Sequence, residues 1–312
     1  MRTVTIALIL MISSCYVHAQ YFSGIIEYKV EIVPKSQSVN LDSIFETKKG
    51  EISKYYITSN YYKAEYYKDG KKTYSYTFDD LSKRMYDEYI DLPYITYRDS
   101  RKANYQYYGS KIHADSTISI LGRSCYMVSY DSEYGKSKNY YSEDIKVDYK
   151  NFENHKVGNW YEKLKQVNGA IMMKSITEYE DYFETREAVK ITPVKLSKKD
   201  FDVDSDKILI ASYSALDKRV ALKPLSPTTI ACYQAKLKEA KKYKTGSETI
   251  QCYLSFIVNK TGEISYIQPY DKSLGELNDH AIKIFKNCGI SFEAGEIDGR
   301  KVSSLAYFPI EF

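Results

Sequence analysis

The chain has 312 residues, with 45 Lys and Arg against 41 Asp and Glu for a net charge of +4, 43% apolar residues, 14 Gly, 7 Pro and 34 Tyr. That apolar fraction and near-neutral charge exclude a disordered low-complexity chain, the small and scattered basic excess argues against a nucleic-acid partner, and scarce Gly leaves little material for phosphate-cradling loops. The length corresponds to two domains of about 100 to 200 residues, and tyrosine, at about three times ordinary usage, favours strands on whose pleated surface aromatic rings pack.

Met1 to Gln20 reads as an export signal: a positive charge at Arg2, an apolar run from Val4 to Met11, and Val17-His18-Ala19 ahead of Gln20. Small or apolar residues at minus three and minus one are what a secretory cleavage site presents, so cleavage is expected between Ala19 and Gln20. Ser13, Ser14 and His18 interrupt the run short of the roughly 20 apolar residues a membrane span needs. Ile12-Ser13-Ser14-Cys15 keeps a second route open, a lipoprotein anchored through Cys15. After signal-peptide cleavage the expected compartment is periplasmic or secreted, with the anchored lipoprotein as the alternative.

From Phe22 to Ile32 the chain alternates, with Phe22, Ile26, Tyr28, Val30 and Ile32 on one side and Glu27, Lys29 and Glu31 on the other, the mark of a half-buried antiparallel strand. Tyr61 to Tyr67 and Lys72 to Phe78 flank Asp69-Gly70, a hairpin signal. Further strand-like runs are Arg84 to Tyr89, Thr117 to Ile120, Cys125 to Tyr130, Asn139 to Tyr141, Ala170 to Ile176 and Ala188 to Val194. Together they predict one large antiparallel sheet, curved or closed. Lys150 to Gln166 reads as a loop or a short helix. After a break over Asp200 to Lys223, Ser226-Pro227 opens a helix as N-cap and first-turn proline.

The carboxy-terminal plan is strand, strand, helix, strand. Glu248 to Val258 places Cys252, Leu254, Phe256 and Val258 on one face; Asn259 to Gly262 turns, and Glu263 to Gln268 returns. Leu277, Ala281, Ile284, Phe285 and Cys288 recur at helical spacing, Gly289 stops that helix, and Lys301 to Phe312 is the last strand. These residues resemble the TonB carboxy-terminal domain. The resemblance rests on Phe256 to Ile264, Leu277 to Ile282, Asp298-Gly299-Arg300-Lys301-Val302 and Phe308 to Phe312. Where that family carries a Pro-x-Trp-x-Pro-Gly segment, this chain has Gly289 to Gly295, which puts the receptor-docking surface in doubt. Phe22 to Tyr28, Ile120 to Cys125, Tyr140 to Ile145 and Asn168 to Met172 resemble LolA-like periplasmic half-barrel proteins of Bacteroidetes type. That second resemblance implies a curved sheet around a helix-lined apolar cavity and a lipid or other apolar ligand.

The expected fold is therefore α+β: a signal peptide over 1–19, a curved antiparallel half-barrel over 20–204, a linker over 205–225, and a TonB-like β-β-α-β module preceded by a helix over 226–312. Neither resemblance carries over a catalytic residue, and the ligand-binding residues stay unassigned. His113, His155 and His280 have no metal-ligand spacing, and Asp200, Asp202, Asp204 and Asp206 lack the Gly and Glu of a calcium loop. No cofactor or metal is expected. Of the five cysteines, Cys125, Cys232, Cys252 and Cys288 follow the signal, and no disulfide is expected. Cys252 and Cys288 share a face, but Cys288 belongs near Val258, about 20 Å of strand away from Cys252. The functional expectation is a non-enzymatic cell-envelope protein that binds an apolar ligand or, through its carboxy-terminal module, an envelope or outer-membrane protein. A purely structural envelope protein and a periplasmic hydrolase remain open alternatives.

Overall fold

The computed structural model describes residues 21–37, 44, 50–244 and 248–312. The segment with Cys15, Ala19 and Gln20 lies outside the described residues. In chain order the strands begin with β1 (Gly24–Pro34), β2 (Ile52–Ile57), β3 (Tyr62–Lys68), β4 (Lys71–Asp79), β5 (Arg84–Tyr89), β6 (Tyr94–Asp99), β7 (Tyr107–Ile120), β8 (Arg123–Ser132) and β9 (Gly135–Lys146). They continue with β10 (Ala170–Glu178), β11 (Tyr182–Pro193), β12 (Ile208–Ala211), β13 (Ala221–Leu222), β14 (Gln251–Val258) and β15 (Ile264–Pro269). The last are β16 (Phe292–Glu293), β17 (Glu296–Ile297), β18 (Arg300–Lys301) and β19 (Ser304–Glu311). The α-helices are α1 (Trp160–Gln166), α2 (Pro227–Ala240) and α3 (Glu276–Asn287). Two compact units form: one from the residues up to Lys83 with Ser100–Asp202, the other from Arg84–Asp99 with Val203–Phe312.

The first unit is a curved antiparallel sheet in the order β4-β3-β2-β1-β11-β10-β9-β8-β7. Bulges at Glu27/Tyr28, Tyr66/Tyr67 and Met172/Lys174 bend it, as an extra residue on one strand does. The β3–β4 hairpin turns at Asp69 and Gly70, with φ of 50° and 71°, the left-handed pair that matches strand twist. Register defines an inner face: Tyr28 opposes Ser53, Ser53 opposes Tyr66, Tyr66 opposes Tyr74, and Val30 opposes Arg186. The segment 149–167 lies on this face through Phe152, His155 and Trp160, which meet the rings of Phe78 and Tyr62. The inner face therefore differs from the apolar cavity that the LolA-like resemblance implies. Tyr28, Tyr62 and Tyr74 are fully buried on it, and their hydroxyls bring hydrogen-bonding chemistry inside.

In the second unit the order is β15-β14-β19-β12-β6-β5. Strand β14 runs antiparallel to β15 and β19, and α3 covers one face, packing Leu277, Ala281, Ile284 and Phe285 with Cys252, Leu254, Phe256, Val258 and Ile310. Ser226 caps α2 by accepting the Thr229 N–H at 3.0 Å. Asn259 Oδ1 accepts from the Thr261 and Glu263 N–H groups, both at 2.9 Å, to close the β14–β15 turn. Gly289, with φ of 69°, ends α3.

Two expectations are corrected here. The boundary at 204 gives way because β12 pairs in parallel with β6, Ile208 to Ala211 lying against Tyr94 to Tyr97. That pairing takes Arg84–Asp99 out of the half-barrel and turns part of the expected linker into sheet, with Ile210 and Ala211 at 0% exposure. The expectation of no disulfide also fails: Cys232 of α2 is bonded to Cys288, with Cα atoms 5.4 Å apart, because α2 packs beside the end of α3. Cys252 is a free buried thiol whose Sγ donates to Asn278 Oδ1 at 3.1 Å, at the start of α3, where the strand length placed it.

Candidate functional site

The inner face of the first unit is where unusual chemistry collects. Strand β11 alternates so that Glu184, Arg186 and Ala188 point inward, opposite Ile32, Val30 and Tyr28 of β1. Arg186 Nη1 donates to the Tyr55 hydroxyl at 2.6 Å and the Tyr66 hydroxyl at 3.2 Å, and Nη2 donates to Glu184 Oε1 at 3.2 Å. The guanidinium also lies 5.4 Å from the Tyr66 ring centroid. The two side chains are only 11% and 8% exposed, so this pair gains from a low-dielectric setting but has given up much hydration. Burial opposes the charge on Arg186, yet Tyr55, Tyr66 and Glu184 hold it well above the ordinary guanidinium value.

Hydroxyl chains extend this polar centre. Tyr62 and Tyr76 share a hydrogen bond of 2.8 Å, and Tyr28 donates to the Met172 carbonyl at 2.7 Å. Tyr130 and Tyr141 are joined at 2.9 Å, with Asn139 Nδ2 donating to the Tyr141 hydroxyl at 3.4 Å. Burial pushes the Tyr141 hydroxyl up to about 12 and raises those of Tyr28, Tyr62, Tyr66 and Tyr130 further. These phenols therefore stay protonated at neutral pH and act as hydrogen-bonding groups rather than as nucleophiles or bases.

Gly158 and Asn159, with φ of 68° and 51°, turn the chain into α1 and set Trp160 against Tyr62, ring centroids 4.3 Å apart. Gly158 is fixed by its N–H donating to Asn104 Oδ1 at 2.7 Å and its carbonyl accepting from the Tyr105 hydroxyl at 3.0 Å. His155 sits among Tyr62, Phe78 and Trp160, with neither ring nitrogen partnered among the described residues. Desolvation drives its pKa down to about 3, so the ring is neutral. Lys163 of α1 places its ammonium 5.3 Å from the Tyr130 ring and 5.8 Å from the Tyr105 ring, and desolvation lowers it to about 8.

His113 bonds Ser129, His280 lies against Tyr243, and Asp200 completes a capping box with Ser197. Among the described residues no group of three or more His, Cys, Asp or Glu could hold a metal ion, and no helix is long and apolar enough to cross a membrane. Arg186 and Glu184 escaped the sequence reading because the strand-like run read there begins at Ala188, whereas β11 starts at Tyr182. The alternation Glu184, Arg186, Ala188 was the available signal.

No family model and no curated protein matches the chain. Among solved structures it is similar to PNGF-II at 9% identity and a TM-score of 0.39, over 77% of this chain and 44% of that one. A LolA superfamily protein of Nitrosomonas europaea gives 7% identity and a TM-score of 0.28, over 59% and 91%. The Pseudomonas aeruginosa MucA/MucB complex gives 6% and 0.28, over 77% of each. The chain thus spans less than half of the PNGF-II chain.

Proposed function

We propose that this chain is an exported, non-enzymatic binding protein of the bacterial cell envelope whose first unit holds an amphiphilic ligand on its inner face. The observation that carries the reading is Arg186, buried among the Tyr55 and Tyr66 hydroxyls with Glu184 as counter-ion. Lys163 of α1, which acts on the same Tyr55 that Arg186 bonds, adds a second cation that suits an anionic head group, while the tyrosine rings suit a chain. Export rests on Arg2, the apolar run and Val17-His18-Ala19. Native mass spectrometry of detergent-free protein tests the binding reading. A co-purified single-chain amphiphile that exchanges for decanoate is expected. A bare protein mass, with thermal unfolding unmoved by decanoate, would overturn it.

A protein partner for the TonB-like module is the second reading, and one observation redirects it. Strand β15 is paired on one side, but Tyr266 adopts φ of 52° in a bulge and Pro269 follows, which blunts that edge for strand addition. Tyr270 and Tyr307, with ring centroids 5.8 Å apart, are exposed in the same unit, and they offer the kind of aromatic contact that protein interfaces favour.

A further inference from the structure

The outer face of the first unit carries a second feature, whose lining touches the inner tyrosines only at Tyr130. Strands β7 to β11 form a recess of about 500 Å³. Register builds it from two cross-strand rows: Lys111, Ser129, Lys138 and Ile176 directly opposite one another, and beside them Asp131, Lys136, Glu178 and Phe183. Gly109 stands at the open end of the second row, where a Cβ would meet nothing within 4 Å. His113, two residues along β7 from Lys111, bonds Ser129 Oγ at 3.0 Å through Nε2.

The charges in this recess do not cancel. Glu178 is taken by Lys35 at 2.9 Å, whose ammonium also lies 4.8 Å from the Phe183 ring centroid. Asp131 faces Lys136 across the ladder. Lys111, Lys136 and Lys138 make no ion pair closer than 4.0 Å among the described residues, and Lys136 and Lys138 share with Lys35 the single Glu178 carboxylate, which they help hold below its usual value. Neighbouring strands are about 4.8 Å apart and alternate residues about 6.6 Å apart, so three flexible ammonium groups can converge on one group a few ångströms across. Ammoniums side by side repel unless an anion sits between them.

We propose that this recess binds a glycerol-phosphate group, either free or as the head of a membrane lipid. The phosphate would be held by Lys111, Lys136 and Lys138, and the carbon body would rest on Ile176 and Phe183, while the Ser129 hydroxyl is occupied by the Lys111 carbonyl at 3.4 Å and by His113. A phosphate offers several acceptor oxygens to donors arriving from different strands, and the recess is larger than a lone inorganic ion needs.

The test uses the mature chain and the doubly substituted Lys111→Ala/Lys138→Ala, which removes exposed side chains and leaves both cores intact. Calorimetric titration with glycerol 3-phosphate reads the free form. Co-sedimentation with phosphatidylglycerol vesicles, against phosphatidylcholine vesicles, reads the lipid form. Binding in either arm that weakens about tenfold in the double variant and falls with added salt is the expected result. Binding in neither arm, or equal binding by the two proteins, would overturn the proposal. Decanoate uptake by the inner face should be the same in both proteins, so failure of one reading is distinguishable from failure of the other.

Discussion

The two units solve the problem of a core in different ways. In the first, tyrosines supply the bulk and their hydroxyls pair with one another, with main-chain carbonyl oxygen and with Arg186. In the second, Phe256, Phe285, Phe292 and Phe308 make ring contacts with centroids 4.7 to 5.9 Å apart, and the Cys232–Cys288 bond fastens α2, which buries only Thr229 and Ala240. A dry core of that kind is structural. A core with hydrogen-bonding capacity costs stability wherever a group goes unpaired, and it is the one to which the proposed ligand with its polar end is assigned.

That contrast can be broken at its dry end first. Phe256 is fully buried, so Phe256→Ala should cost about 3 to 5 kcal/mol, read as a lowered calorimetric transition of the second unit. Removing the disulfide with Cys232→Ser/Cys288→Ser, which opens a 56-residue separation, should cost about 2 to 4 kcal/mol. Reductant should lower the melting temperature of the parent and leave the double variant unchanged.

The wet core should instead respond to pH. His155 titrates at about 3 in the fold but near 6.5 when unfolded. Below about pH 6.5 the unfolded chain takes a proton that the folded one refuses, so the stability His155 contributes at neutral pH is lost as pH falls toward 3. His155→Phe keeps the aromatic box and removes this loss. Its gain over the parent should be on the order of 2 to 3 kcal/mol at about pH 4.5, measured by urea unfolding at that pH and at neutrality. Smallest is Tyr62→Phe, which gives up the hydroxyl bond to Tyr76 and should cost about 1 kcal/mol.

Local chemistry made part of this architecture legible. Asp69-Gly70, Ser226-Pro227, the Asn259 turn and the one-faced strands β1 and β14 each carry their reason within a few residues. What the sequence could not express was pairing at a distance. Nothing near Arg84–Asp99 signals that β6 will lie parallel to β12, and nothing in α2 signals that Cys232 will meet Cys288. The candidate site was hidden by the same limit, since nothing around Arg186 signals that β1 and β2 will bring Tyr55 beside it.

The chain has a single tryptophan, and it lies on the inner face against Tyr62, its Nε1 without a hydrogen-bond partner among the described residues. Trp160 emission during titration with laurate below its micellar concentration therefore reports on the proposed site alone. A saturable change in Trp160 intensity or wavelength, abolished by prior loading with decanoate, is the result expected of an amphiphile-binding inner face. Emission that stays constant throughout the titration would contradict it and leave the tyrosine cluster a closed core.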